Sequence, residues 1–291
     1  MAVAATADTA LARIELKEKA ITFSFLVPCF LFLLVFFFLP VVQFLAHGLF
    51  DPDFTLKHYH RALTSGIYLQ ILWRTLFISF FTSLICAALG YPVAYVIAHA
   101  SGRMQAIILA LVLIPFWTSI LVRVFAWIAL LGRNGVINTG LMNAGIVSEP
   151  LPLLYNTFAV LLGMTHVMLP YMILPVYAVM KNVPSSLTDA AESLGASPWR
   201  AFARIYFPLT LPGVAAGALL VFIISCGFYV TPALMGGANG IILSQLIEQE
   251  VNEGTHWAFA SALSGILLFV TTALYLVYER FSSLDDAEET R

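Results

Sequence analysis

From residue 205 to residue 247 this chain carries no charged side chain, and residues 20–46 carry none either. Hydrocarbon offers no water to backbone N–H and C=O groups, so a charge-free run of about 20 residues that enters a bilayer has to satisfy them internally as a helix. Runs of this length narrow the possibilities to an all-α integral membrane protein. The composition agrees: 10% of the 291 residues are charged, against about 25% in an ordinary soluble domain. The net charge of -2 leaves no basic excess to favour nucleic acid.

Six spans are expected, at residues 20–46, 72–98, 104–131, 154–180, 211–234 and 257–278. The first is longer than the roughly 7–15 residues of a signal-peptide core, so it reads as a retained helix. Pro115 and Arg123 interrupt the third, and His166, Pro170 and Pro175 lie in the fourth. The charge-free run 205–247 is too long for one span and is divided by Gly236, Gly237 and Gly240, which makes 241–247 a re-entrant or gate-lining piece. One transmembrane domain, 21–278, thus sits between a polar segment, 1–20, and an acidic tail, 279–291, expected to be disordered.

Positive charge orients the bundle. With the N-terminus in the cytoplasm, Arg13, Lys17, Lys19, Arg103, Lys181, Arg200, Arg204, Arg280 and Arg291 fall inside, and Lys57, Arg61 and Arg133 outside. Residues 184–208, the one long polar interval between strongly apolar segments, are then cytoplasmic. Two helices are expected there. Ser186 with Asp189 resembles a capping box, Gly195 suits a left-handed residue ending the first helix, Ser197 and Pro198 start a second, and Pro208 stops it.

The same interval reads Asp189-Ala190-Ala191, three residues, Gly195, nine residues, Ile205-Tyr206-Phe207-Pro208. This resembles the "EAA" signature of ABC importer permeases, with Asp in place of Glu and Phe in place of Leu. Further matches run through the chain: Pro115-Phe-Trp-Thr-Ser-Ile-Leu-Val-Arg123, Leu169-Pro-Tyr-Met-Ile-Leu-Pro175 and Gly227-Phe-Tyr-Val-Thr-Pro-Ala-Leu-Met-Gly-Gly237 are similar to the spermidine/putrescine type, first permease subunit of the pair. The resemblance implies the type I importer permease fold in a bacterial inner membrane, both termini cytoplasmic. It implies a homologous second permease subunit, two cytoplasmic ATP-binding subunits and an extracytoplasmic solute-binding protein. It also implies that 184–208 docks on the ATPase through Asp189, Ala190, Ala191, Gly195, Arg200, Ile205 and Pro208. Alternatives are the same machine for another small cationic or zwitterionic solute (an opine or amino-acid derivative), and, more remotely, an ion-driven carrier.

Candidates for the path or its entrance are few. Arg123 lies eight residues before Leu131, roughly 12 Å deep at 1.5 Å per residue, where a guanidinium is costly unless paired or hydrated. No carboxylate lies at that depth, so its partner is open between a helix-end carbonyl, water and a group on another subunit, with snorkelling as the purely structural reading. Glu248, Glu250 and Glu253 form an outer acidic run, either a solvated face or an entrance that attracts cations. Tyr229 and Trp257 offer aromatic faces to an amine, or anchor the interface against lipid. His166 is either path-lining or a hydrogen-bonded packing residue. His58 and His60 lack the neighbours of a metal site, and Cys29, Cys86 and Cys226 lie apart in apolar runs, so no metal is expected. The chain has no Gly-Lys pair for a phosphate loop and no Gly-x-Ser-x-Gly elbow. No catalytic residue and no cofactor is expected; ATP would belong to the partner subunit.

Overall fold

The computed structural model describes residues 24, 26–237, 240–254 and 256–289, with side chains as far as residue 280. The basic residues expected at positions 13, 17 and 19 and the segment 1–20 lie outside the described residues. The helices in chain order are α1 (Leu26–His47), α2 (Lys57–Thr64), α3 (Gly66–His99), α4 (Gly102–Trp117), α5 (Ile120–Leu131), α6 (Val136–Asn143), α7 (Thr157–Met180), α8 (Ser185–Ser193), α9 (Pro198–Gly227), α10 (Val230–Met235), α11 (Leu243–Asn252) and α12 (Trp257–Glu289). Six stretches are long and apolar enough to cross a membrane: α1, α3, α5 with α6, α7, α9 and the Trp257–Arg280 part of α12.

Three helices, α3, α7 and α9, make the core. Met168, Met172 and Val176 of α7 are buried between Cys86, Ala94 and Ile97 of α3 and Val221 of α9. Lipid tails are as apolar as these side chains, so packing rather than water exclusion holds such helices together, and it needs small residues at the crossings. Gly90 of α3 and Gly217 of α9 flank Met172. A Cβ on Gly217 would lie 2.8 Å from Met172 Sδ and 3.1 Å from its carbonyl oxygen. Polar clasps add to the packing: Ser83 Oγ of α3 donates to Ala218 O of α9 at 2.8 Å, and Gln105 Nε2 of α4 donates to Tyr177 OH of α7 at 3.0 Å.

Two expectations are corrected and one is refined. The span 104–131 is two helices, because Thr118 and Ser119 are extended between α4 and α5. Pro115 removes one helical donor, and Thr118 turns both its N–H and its hydroxyl onto Pro115 O, ending α4. The piece 241–247 is not a separate element. Ile242 and Leu243 are buried, the Leu243 N–H donates to Thr75 Oγ1 at 2.8 Å, and the rest opens α11. The tail is helical to Glu289, since no Gly or Pro follows residue 278 to stop α12.

Candidate functional site

The loop 184–208 folds from local rules. Pro184 is extended, so α8 begins at Ser185, two residues earlier than a Ser186 cap would allow, and no side chain caps it. Ser186 and Asp189 are therefore inside the helix, and the expected capping box does not form. At the other end Gly195 sits at φ +90, and the two bonds of a Schellman turn are in place, Gly195 N–H to Glu192 O at 2.9 Å and Ala196 N–H to Ala191 O at 3.0 Å. Pro198 opens α9 at its first position, where its missing N–H costs little, and Ser197 makes no side-chain cap.

Pro208 does not stop this helix. It cannot donate to Arg204 O, and its ring would crowd that carbonyl. Residues Phe202–Tyr206 accordingly widen into one π turn, closed by Phe207 N–H to Phe202 O, and the helix continues from the loop into the apolar run as far as Gly227. Sequence reasoning missed this continuity, and it also missed what holds the loop in place. Tyr91, Tyr95 and His99 recur every fourth residue on α3, and Trp199, Phe202 and Tyr206 follow helical spacing on α9. The two stripes meet: the Tyr95 ring lies 4.2 Å from His99, 5.8 Å from Phe202 and 5.5 Å from Tyr206. The spacing was the available signal.

Between the end of α3, α8 and the start of α9 lies a cleft of about 490 Å³, walled by Tyr95, Phe202 and Tyr206 and edged by His99, Lys181, Asp189 and Glu192. Asp189, Ala190, Gly195, Arg200 and Pro208 are exposed, while Ala191 and Ile205 are half-buried. Two apolar side chains stand out in water beside them, Leu194 at 90% exposure and Trp199 at 73%. An exposed Leu and Trp on either side of a rigid glycine turn, ringed by charge, have the make-up of a docking knob.

The path candidates occupy separate places. Arg123 is half-buried on α5, and its Nε is enclosed with no hydrogen-bond partner. Its electrostatic neighbour is His166 on α7, whose Nδ1 accepts from Trp127 Nε1 at 3.0 Å. That bond makes His166 a packing histidine here. Glu248 and Glu250 are half-buried on α11. Glu248 accepts from Asn252 Nδ2 at 3.0 Å, and Glu250 pairs with His256 at 2.9 Å, so a histidine that sequence spacing did not assign sits in the acidic run. Tyr229 is exposed at the bend before α10, and Trp257 meets Phe44 of α1 edge-on at 6.4 Å. Among the described residues no three His, Cys, Asp or Glu side chains gather as a metal site, and His58 pairs with Asp51 instead.

A family described as "Binding-protein-dependent transport system inner membrane component" matches residues 87–283. This chain is a member of that family. The permease is 35% identical to the Spermidine/putrescine transport system permease protein PotB of Haemophilus influenzae, over 79% of its own length and 80% of that protein. It is 32% identical to the protein of the same name in Escherichia coli K12, over 87% of its length and 94% of the relative. A chain of the bacterial ABC transporter involved in import of the acidic polysaccharide alginate superposes with a TM-score of 0.74 at 17% identity, covering 92% of the permease and 97% of that chain. A chain of the MetNI methionine ABC transporter gives 0.55 at 18% identity, over 73% and 93%. The fold is that of type I importer permeases. The permease is a multi-pass inner-membrane transport subunit and not an enzyme.

Proposed function

We propose that this permease forms half of the membrane path of an ATP-driven polyamine importer, which carries putrescine- or spermidine-like amines into the cytoplasm by alternating access. The observation that carries the reading is the identity to two spermidine/putrescine permeases, spread over most of the chain. Its partners are a homologous second permease, two ATP-binding subunits and an extracytoplasmic binding protein. The termini are cytoplasmic, the orientation that puts Arg103, Lys181, Arg200, Arg204 and Arg280 inside and only Lys57, Arg61 and Arg133 outside among the described residues. The knob at 184–208 then faces the ATPase, with Leu194 and Trp199 as apolar anchors and Asp189 and Arg200 at its rim. ATP closure moves the knob, the paired bundles rock outward to accept solute, and hydrolysis returns them. Glu248 and Glu250 bias the outer mouth toward cations.

The test is uptake of radiolabelled putrescine and spermidine by proteoliposomes holding the complete complex, with Leu194→Glu beside the native protein. Saturable, ATP-dependent uptake is expected. The Leu194→Glu permease should recover ATPase subunits about tenfold less well, as loss of a central apolar anchor implies. ATP-driven activity stimulated by the binding protein without polyamine uptake would reject the solute, and full coupling in Leu194→Glu would reject the knob.

A further inference from the structure

Arg74 of α3 donates to Ile241 O at 3.3 Å, whereas no described residue neutralises Arg123 of α5. It makes no ion pair or side-chain hydrogen bond among the described residues, and its Nε is shut away from water. Its nearest electrostatic neighbour, His166, offers no relief. The Nδ1 lone pair is taken by Trp127 Nε1, which leaves only a donor on the far side of the ring. Among the described spans the one Asp or Glu is Glu279, at the very end of Trp257–Arg280.

The face around Arg123 is equally unfinished. On α5, Val124 and Leu131 are buried against α7 and α10, with Trp127 and Ile128 packed beside them. Across the helix Leu121, Val122, Phe125 and Ala126 are exposed, Val122 at 63%. Arg123 stands on the boundary between these faces. Lipid covers apolar side chains well, but it supplies no counter-charge to a guanidinium, which is costly within a span unless it is paired or hydrated. A guanidinium is also the group that pairs a carboxylate through two parallel bonds.

We propose that the exposed face of α5 packs against the second permease subunit, and that this subunit presents a carboxylate to Arg123. The inference rests on the heterodimer reading above and adds to it the contact face and the chemistry that complements it. The ion pair then ties the two bundles at the end of α5 next to the break at Thr118 and Ser119, so that Arg123 positions the subunits and does not touch solute.

The experiment uses the complete transporter in lipid nanodiscs, with the photocrosslinking residue p-benzoylphenylalanine placed at Val122 or Ala126. The expected adduct joins this chain to a peptide of the second permease that carries an Asp or Glu within a helical turn. Arg123→Met should lower recovery of the second permease about tenfold, since the carboxylate is left alone in hydrocarbon. Arg123→Lys should retain most of it, and exchanging Arg123→Glu with an arginine at the crosslinked acid should restore it. The melting temperature of the isolated subunit should not follow this order, which separates pairing from a merely structural role. Adducts to lipid, adducts within this chain, or an intact pair in Arg123→Met would each overturn the inference while leaving the heterodimer reading in place. Failure to recover any second permease with the native protein would instead refute the heterodimer itself.

Discussion

Gly195 gives the most direct test of the coupling knob, because its requirement is one of backbone and not of space. Its φ of +90 is closed to L side chains at ordinary cost, yet a Cβ built on it meets no heavy atom within 4 Å. Gly195→Ala therefore introduces no clash within this subunit, and its cost is the left-handed conformation alone, about 1–2 kcal/mol. That energy is charged to the two Schellman bonds that fix α8 against α9. It corresponds to a factor of about 5–30 in the fraction of knobs correctly folded. The assay is the ratio of solute imported to ATP hydrolysed in proteoliposomes, compared across three variants. Gly195→Ala should reduce that ratio several-fold. Gly195→Asn should stay nearer the native value, since Asn visits this region more readily. Gly195→Trp adds bulk on the side open to a partner, so it should abolish uptake with membrane insertion intact. Native coupling in Gly195→Ala, or equal losses in the Ala and Asn variants, would refute the backbone argument. Native uptake in Gly195→Trp would remove the docking surface from this turn.

Two further predictions concern the scaffold. Asn138 is fully buried and clamps the segment between α5 and α7 by donating to Gly132 O and Leu151 O, both at 3.0 Å, and accepting from Leu151 N–H at 2.8 Å. Asn138→Leu should cost about 1–3 kcal/mol for each backbone group it orphans, seen as a lower melting temperature in detergent; an unchanged melt would mean that the clamp carries no stability. Gly217→Ala should cost about 1–3 kcal/mol by forcing α9 away from the Met172 backbone. Gly227→Ala, where a Cβ meets nothing within 4 Å, serves as the neutral control in the same melt, and equal behaviour of the two would refute the close-packing account.

Much of the fold was legible because hydrocarbon tolerates few alternatives. Charge-free runs announced the helices, and Gly195 announced the left-handed turn, since few other residues fit one. What escaped was decided by neighbours. Pro115 was visible as an interruption, but only the pairing of Thr118 with Pro115 O turns an interruption into two helices. Pro208 read as a stop because a proline ends a regular α-helix, whereas one widened turn upstream removes the conflict. Ser186 lost its capping role to an extended Pro184. The stripes Tyr91-Tyr95-His99 and Trp199-Phe202-Tyr206 were periodic in plain view, but two matching stripes say nothing of meeting until the helices are placed. Arg123 was legible as an anomaly in the sequence, and the fold leaves it without an ion pair among the described residues.

The π turn at Phe202–Tyr206 has a mechanical meaning. Because it joins the knob to the span without a loop, α9 is one rod of 30 residues, about 45 Å long at 1.5 Å per residue. Such a rod has no slack. A tilt of about 10° forced on it at Pro198 sweeps its far end, near Tyr229, by about 8 Å, so a small nudge at one face of the membrane arrives at the other enlarged and without delay. A flexible tether would have absorbed the same nudge. The position of the wide turn fixes how the knob is set relative to the rod, and a single residue inserted within it would turn the docking face by about 100° about the rod axis and so change the gearing of the whole transporter.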